Sequence, residues 1–221
     1  MPKSISKKDK AYQEIKKAII SGKLESEKIF SIAELSKTFE VGRTPVREAL
    51  VILDSEGLIE PFPKYGYQIK SLSVHDMLEI FHLRSVLEVE GVGLAAERIS
   101  EDDIRLLESN NRLEQELVIS LQSENSTHSY YEGYELNVEF HLMIARASGN
   151  SRLADMVERL QNESELVLGY DPHIARVEIA AAATIQHHEL IERLRQRDKS
   201  GAQEAMRRHI EHAKNSSLNR F

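Results

Sequence analysis

Arg43 and Arg47 stand four residues apart, and every other basic side chain in residues 1–70 is a lysine. Thr44 and Pro45 lie between them. Thr44 suits a helix N-cap and Pro45 a first helical position, where its fixed φ is already helical. Both arginines then project from the N-terminal end of one helix, where free backbone N–H groups and the positive dipole end favour phosphate. Arg also suits bidentate contact with guanine O6/N7 or with phosphate. As merely solvated residues, two cations would sit unfavourably at a positive dipole end, so duplex recognition is the better reading. Thr44 can donate its hydroxyl to phosphate. A later loop offers Lys64, Tyr65 and Gly66, the glycine allowing close backbone approach to a duplex.

A second chemical set lies downstream, where all nine His are found. Asn137 and His141 are four apart and share one helix face. His188 follows 47 residues after His141 and His209 a further 21, each on its own helix. His209 continues the stripe Ala202, Ala205/Met206, Ala213 and points inward; His188 lies a turn before Ile191, alongside Leu194. Spacing leaves two readings open: hydrogen-bonded core histidines, or ligands of one ion. His75, His82, His128, His187 and His212 receive no role, although a slip of one or three residues would exchange His187 and His212 with His188 and His209.

The elements that must position these residues follow from periodicity and caps. Ala11–Ser21 reads as an amphipathic helix stopped by Gly22. Ser31 with Glu34 has capping-box spacing and opens a helix through Phe39. Glu40-Val41-Gly42 is a turn, and the helix from Thr44 buries Val46, Ala49, Leu50 and Leu53 before ending at Gly57. Residues 58–60 and 67–70 read as two short strands. Two short helices joined by a tight turn, then a hairpin, describe a winged helix-turn-helix over residues 1–72. After the connector Ser71-Leu72-Ser73, residues 73–221 read as an antiparallel bundle of about six helices: to about Ile99, then 101–123, 131–147, 151–169, 173–199 and 201–217. Residues 124–129 read as a loop, and Asn150 as the cap of the following helix. The expected fold class is mainly α.

Composition agrees. Residues 1–70 carry 13 Lys+Arg against 10 Asp+Glu; the remainder carries 16 against 26. A mildly basic module thus precedes an acidic, His-bearing one, which suits a polyanion partner for the first. Gly (10) and Pro (5) are scarce in 221 residues, against a turn-rich β fold. The absence of Cys excludes disulfides, thiolate metal sites and a cysteine nucleophile. No apolar run approaches the roughly 18–20 residues of a spanning helix, and the first ten residues lack a signal-peptide core, so no membrane association and a cytoplasmic location are expected.

The run Gly42-Arg43-Thr44-Pro45-Val46-Arg47-Glu48-Ala49-Leu50, with Leu53, Glu56-Gly57-Leu58-Ile59 and the Tyr65-Gly66 wing, resembles the GntR family of bacterial transcription regulators in its FadR-type branch. The resemblance covers nearly the whole chain. It implies that Arg43, Thr44, Arg47 and Gly66 contact operator DNA. Gly42 stands where many members have Ser or Thr, and Ala33 where some have a basic residue. The branch's C-terminal FCD domain commonly carries Asp-x-x-x-His on one helix and single His on two later ones, together binding a divalent metal. The resemblance therefore implies Asn137, His141, His188 and His209 as ligands, with Zn the first choice and Ni or Mn compatible. Asn137 replaces the usual Asp, leaving the ion's charge uncompensated, so a carboxylate effector completing the shell would gain more. Arg84, in Leu83-Arg84-x-x-Leu87-Glu88, matches the family's Leu-Arg-x-x-x-Glu segment; it either clamps an acidic effector or pairs with Glu88 at i+4, worth about 0.2–0.5 kcal/mol.

The expected function is a homodimeric, ligand-responsive regulator of operator DNA, more often a repressor in this family, with sugar acids, amino acids and short carboxylates all compatible as effectors. Effector binding would shift the first bundle helix, and the short connector would pass this to the recognition helices. Two alternatives remain: the same regulator with a metal-free pocket for an organic anion, or a metal hydrolase using Glu139 or Glu189 as base. The latter lacks His-Glu-x-x-His, Gly-x-Ser-x-Gly and a phosphate-cradling loop.

Overall fold

The structure, a computed structural model, describes residues 6–121, 130–168 and 173–218. The loop expected at 124–129, with His128, lies outside the described residues. The chain divides into two compact units, Met1–Leu72 and Ser73–Phe221. Among the described residues no helix is long and apolar enough to cross a membrane.

The first unit runs α1 (Lys7–Ile20), β1 (Ile29–Phe30), α2 (Ile32–Thr38), α3 (Arg43–Ser55), β2 (Ile59–Phe62) and β3 (Gly66–Ile69). Ser6 caps α1 and Ser31 caps α2, each accepting from a backbone N–H three residues on. Ala11, Ile15, Ala18 and Ile19 of α1 are buried, as are Val46, Ala49, Leu50 and Leu53 of α3. Helix α1 packs along α3. Lys16 adds a fixed polar tie: its ammonium donates to Glu56 (2.9 Å), which also accepts from Tyr12 (2.6 Å), pinning the C-terminal end of α3 to α1.

Two expectations are corrected here. Helix α3 starts two residues early, with Gly42 as N-cap and no side-chain cap. The first intrahelical bond is Val46 N–H to the Gly42 carbonyl (3.2 Å), so the N–H that Pro45 lacks would have had no intrahelical partner. The wing is also a three-stranded sheet, ordered β1-β3-β2, rather than a bare hairpin. In it Phe30 pairs with Tyr67, and Phe62 with Gly66. A two-residue strand leaves no alternation to read.

That third strand gives Gly66 its reason. Its φ is 146°, and a Cβ there would lie 2.2 Å from the Phe30 carbonyl oxygen. The glycine is required by strand packing before any duplex is considered. Gly66→Ala is expected to destabilise the first unit by roughly 1–3 kcal/mol from the backbone conformation alone, with the clash added. Urea titration of the full chain followed by circular dichroism would show an earlier first transition; an unmoved midpoint would contradict this.

The second unit contains α4 (Val74–Arg98), α5 (Glu101–Leu121), α6 (Tyr130–Ala147), α7 (Ser151–Leu168), α8 (His173–Arg195) and α9 (Lys199–Leu218). Ser73 with Asp76, and Ser100 with Asp103, form reciprocal caps that fix the starts of α4 and α5. Asn150 caps α7, accepting from the Leu153 N–H (3.2 Å). The core joins Met77, Phe81 and Val92 of α4 to Phe140 and Ile144 of α6, Leu190 and Leu194 of α8, and Met206 and Ile210 of α9.

Candidate functional site

In the first unit, Arg43, Thr44 and Arg47 are all exposed at the N-terminal end of α3, whose first turn holds no acidic residue. Gly42 offers no side chain to cap that end, and Thr44, expected as the N-cap, is instead the second residue of the helix. The end thus keeps uncapped N–H groups beside two guanidinium groups, the combination that favours a phosphate backbone. On the wing, Lys64 and Tyr65 are exposed, Tyr65 at 69%, its ring leaning on Phe62 with centroids 5.9 Å apart. Lys64 takes a positive φ of 71° in the tight turn that Tyr65 N–H closes on the Phe62 carbonyl (3.0 Å).

In the second unit, three imidazoles meet at the centre of the bundle: His141 of α6, His187 of α8 and His209 of α9, all buried. One nitrogen of each lies within 4.8 Å of the others, and the Nε2 atoms of His141 and His209 are 3.2 Å apart. The third member is His187, not His188, which is exposed on the outer face of α8. The signal was available: Thr184, His187, Ile191 and Leu194 form one buried stripe at three- and four-residue steps, leaving His188 on the face of Glu192 and Arg195. Asn137 is half-buried one turn before His141 and lines the adjoining cavity together with His209.

Each ring is held by its other nitrogen. His141 Nδ1 lies 2.5 Å from Glu88 Oε2, His187 Nδ1 lies 2.8 Å from Glu114 Oε2, and His209 Nδ1 lies 2.8 Å from Gln186 Oε1. An oxygen at each of these positions can accept from Nδ1–H, and a neutral ring so held turns its Nε2 lone pair inward. His187 is further fixed by stacking on Phe140, with centroids 3.9 Å apart and planes 14° off parallel. Its Nε2 is buried and hydrogen-bonds to nothing among the described residues. Facing lone pairs at 3.2 Å repel one another in the absence of a cation.

Arg84 is buried on α4. Its Nε donates to Glu88 (2.7 Å) and its Nη1 to Ser164 of α7 (3.1 Å), and Gln161 donates to both Glu88 oxygens (3.2 Å). Arg84 thus makes the i+4 pair with Glu88, and it also lines the adjoining cavity. Burial alone would raise the Glu88 carboxyl, but the charge of Arg84 and the hydrogen bonds from His141 and Arg84 outweigh it and hold the group at about 2. Burial lowers His141 against the opposing pull of Glu88, and lowers His209 well below the ordinary 6.5 with further help from His187 and His141.

The sign of the resulting pH dependence is fixed. Below 6.5 the unfolded chain takes up protons at positions 141 and 209 that the fold refuses, so stability is lost as pH falls through this window. Melting of metal-free protein is expected to weaken from pH 7.5 to 5.5 by up to about 1.4 kcal/mol per pH unit for each histidine. A flat profile would contradict it.

The cavity beside the cluster measures about 80 Å³. Its polar lining includes Arg84, Glu114, Asn137, Gln161, Glu165 and His209, and its apolar lining includes Phe81, Leu117, Val118 and Ile179. The two acids considered as hydrolytic bases stand elsewhere. Glu139 is exposed and pairs with Arg146 (3.0 Å), and Glu189 accepts from Arg208 (2.7 Å).

Residues 79–212 match the FCD domain, and residues 7–69 match the family described as bacterial regulatory proteins, gntR family. The chain is 27% identical over 207 residues to the HTH-type transcriptional regulator YdhC of Bacillus subtilis, covering 91% of this chain and 86% of that protein. It is 27% identical over 205 residues to the HTH-type transcriptional repressor GlaR of Escherichia coli, covering 90% of each. Among solved structures, E. coli McbR/YncC superposes with a TM-score of 0.77 at 22% identity, over 98% of this chain and 99% of the other.

Proposed function

The chain belongs to the gntR family of bacterial regulatory proteins and carries an FCD domain, and from that premise we propose that it is a homodimeric, ligand-responsive repressor of operator DNA whose FCD unit binds a divalent metal and a small carboxylate effector. The observation that carries the sensing half is the orientation of three imidazoles, each tethered at Nδ1 by an oxygen so that Nε2 is free. Neutral imidazoles of this kind suit Zn, with Ni or Mn compatible. His141, His187 and His209 would hold the ion, with the Asn137 amide oxygen, which lines the adjoining cavity, a candidate for a fourth position. When bound, the ion supplies a Lewis-acidic point of attachment for an anion.

The chain's own residues do the rest. Arg84, neutralised on one edge by Glu88, keeps further N–H groups for an anion in the cavity. The walls set apolar side chains beside Tyr134, Asn137, Gln161 and Ser164, which suits a short carboxylate carrying both apolar and hydrogen-bonding groups. In the first unit, Arg43, Thr44, Arg47 and the wing residues Lys64 and Tyr65 would contact the duplex, one unit to a half-site, with Gly66 shaping the wing. Dimerisation finds support in exposed Leu83 and Val86 on α4 and Leu106 and Leu113 on α5, apolar surface that a second copy would cover. Repression finds support in relatives named as repressors, GlaR among them.

The test uses duplexes selected from a random pool by the purified protein. With Zn present, at least one member of a panel of short carboxylates is expected to weaken operator binding by roughly 5–150-fold and to raise the melting temperature. A panel that moves neither quantity would overturn the effector reading, and protein that selects no duplex would overturn the regulatory one.

A further inference from the structure

The family resemblance places an Asp where this chain has Asn137, so a negative charge is missing at the proposed metal centre. The rings are held by three groups, Glu88, Glu114 and Gln186, and these differ in what else they touch. Gln186 is neutral. Glu88 is shared with the Arg84 guanidinium and with Gln161. Glu114, on α5, is 2% exposed, and its Oε2 lies 2.8 Å from His187 Nδ1 with no guanidinium or ammonium partner among the described residues. A buried carboxylate whose counterpart is an imidazole has no permanent cation to balance it, and is poorly compensated when that ring is neutral. A cation on the far nitrogen of that ring completes the arrangement, and the carboxylate strengthens the ring as a donor.

We propose that Glu114 is the charge-compensating positioning residue of the metal centre: it fixes His187 with Nε2 inward and supplies, through the ring, the negative charge that Asn137 lacks. This rests on the metal reading above. It also revises the expectation that the centre's charge is left for an effector to neutralise. Charge from behind the ligand shell leaves the open position to a ligand chosen by fit to the cavity walls.

Zn affinity is measured by competition with a chromophoric chelator for the wild type, Glu114→Gln, Asn137→Asp and the double variant, with the melting temperature of each metal-free protein as the folding control. Glu114→Gln, which preserves shape and an accepting oxygen, is expected to weaken Zn by about 10–100-fold. Asn137→Asp is expected to restore Zn binding in the Glu114→Gln background, because the two carboxylates serve the same charge. Unchanged affinity in Glu114→Gln, or a double variant no better than it, overturns the proposal. A wild type that never competes for Zn overturns the metal reading itself. Independently of any variant, imidazole nitrogen NMR of metal-free wild type is expected to show His187 protonated at Nδ1, and an Nε2–H tautomer would also overturn the proposal.

Discussion

Arg47→Ala is expected to lower affinity for a selected operator duplex by about 1–3 kcal/mol, roughly 5- to 150-fold, as loss of one bidentate contact does. The fold should be untouched. Arg47 is exposed and makes no ion pair among the described residues, while the face that anchors α3 is formed by Val46, Ala49, Leu50 and Leu53. Two readouts separate base recognition from general attraction. If Arg47 reads a base, the preference among duplexes at one position relaxes while the salt dependence changes little. If it meets only phosphate, binding weakens evenly across sequences and the slope against salt falls by about one charge. Operator affinity equal to wild type would remove Arg47 from the interface. Lys64→Ala on the wing is a milder companion, consistent with a contact to phosphate alone.

His187→Ala is expected to lower Zn affinity by more than the roughly 10–100-fold seen for outer-shell groups, while His188→Ala leaves it unchanged. The contrast is sharp because the two residues are adjacent and differ only in the face of α8 that they occupy. His187 is fully buried against Phe140 and Glu114, and His188 is exposed. The alanine at 187 also removes a stacked ring from the core, so the metal-free melting temperature should fall as well. Equal Zn affinity in His187→Ala, or a loss in His188→Ala, would mean that α8 presents a different face to the cluster.

How far the sequence discloses this arrangement depends on the range of each interaction. The helix ends carry local signals: Ser6, Ser31, Ser73, Ser100 and Asn150 each cap the helix that follows, and Gly57 ends α3. Arg84 and Glu88 pair one turn apart, within reach of a spacing rule. His141 and His209 belong to stripes with apolar neighbours on both sides. His187 and His188 form a doublet in which either residue can be aligned with a downstream apolar position, and only the full step through Thr184, Ile191 and Leu194 selects the first. At α3, two good N-terminal residues, Thr44 and Pro45, compete with a glycine that caps by backbone shape alone.

The rest is non-local. Glu114 and His187 are 73 residues apart, and Arg84 and Ser164 are 80 apart. No periodicity within one helix can pair them, because the pairing is a property of how the helices pack. Gly66 illustrates the same limit in the first unit. Its neighbour is the carbonyl of Phe30 on a two-residue strand, so its purpose becomes visible only when the sheet is assembled.

The convergence of His141, His187 and His209 on one ion is tested most directly by the Zn K-edge absorption spectrum of protein loaded with one equivalent of Zn. Three imidazole nitrogens at about 2.0–2.1 Å, with the outer-ring scattering that identifies histidine, are the expected shell. An oxygen-only shell, or a spectrum identical in His187→Ala, would contradict it.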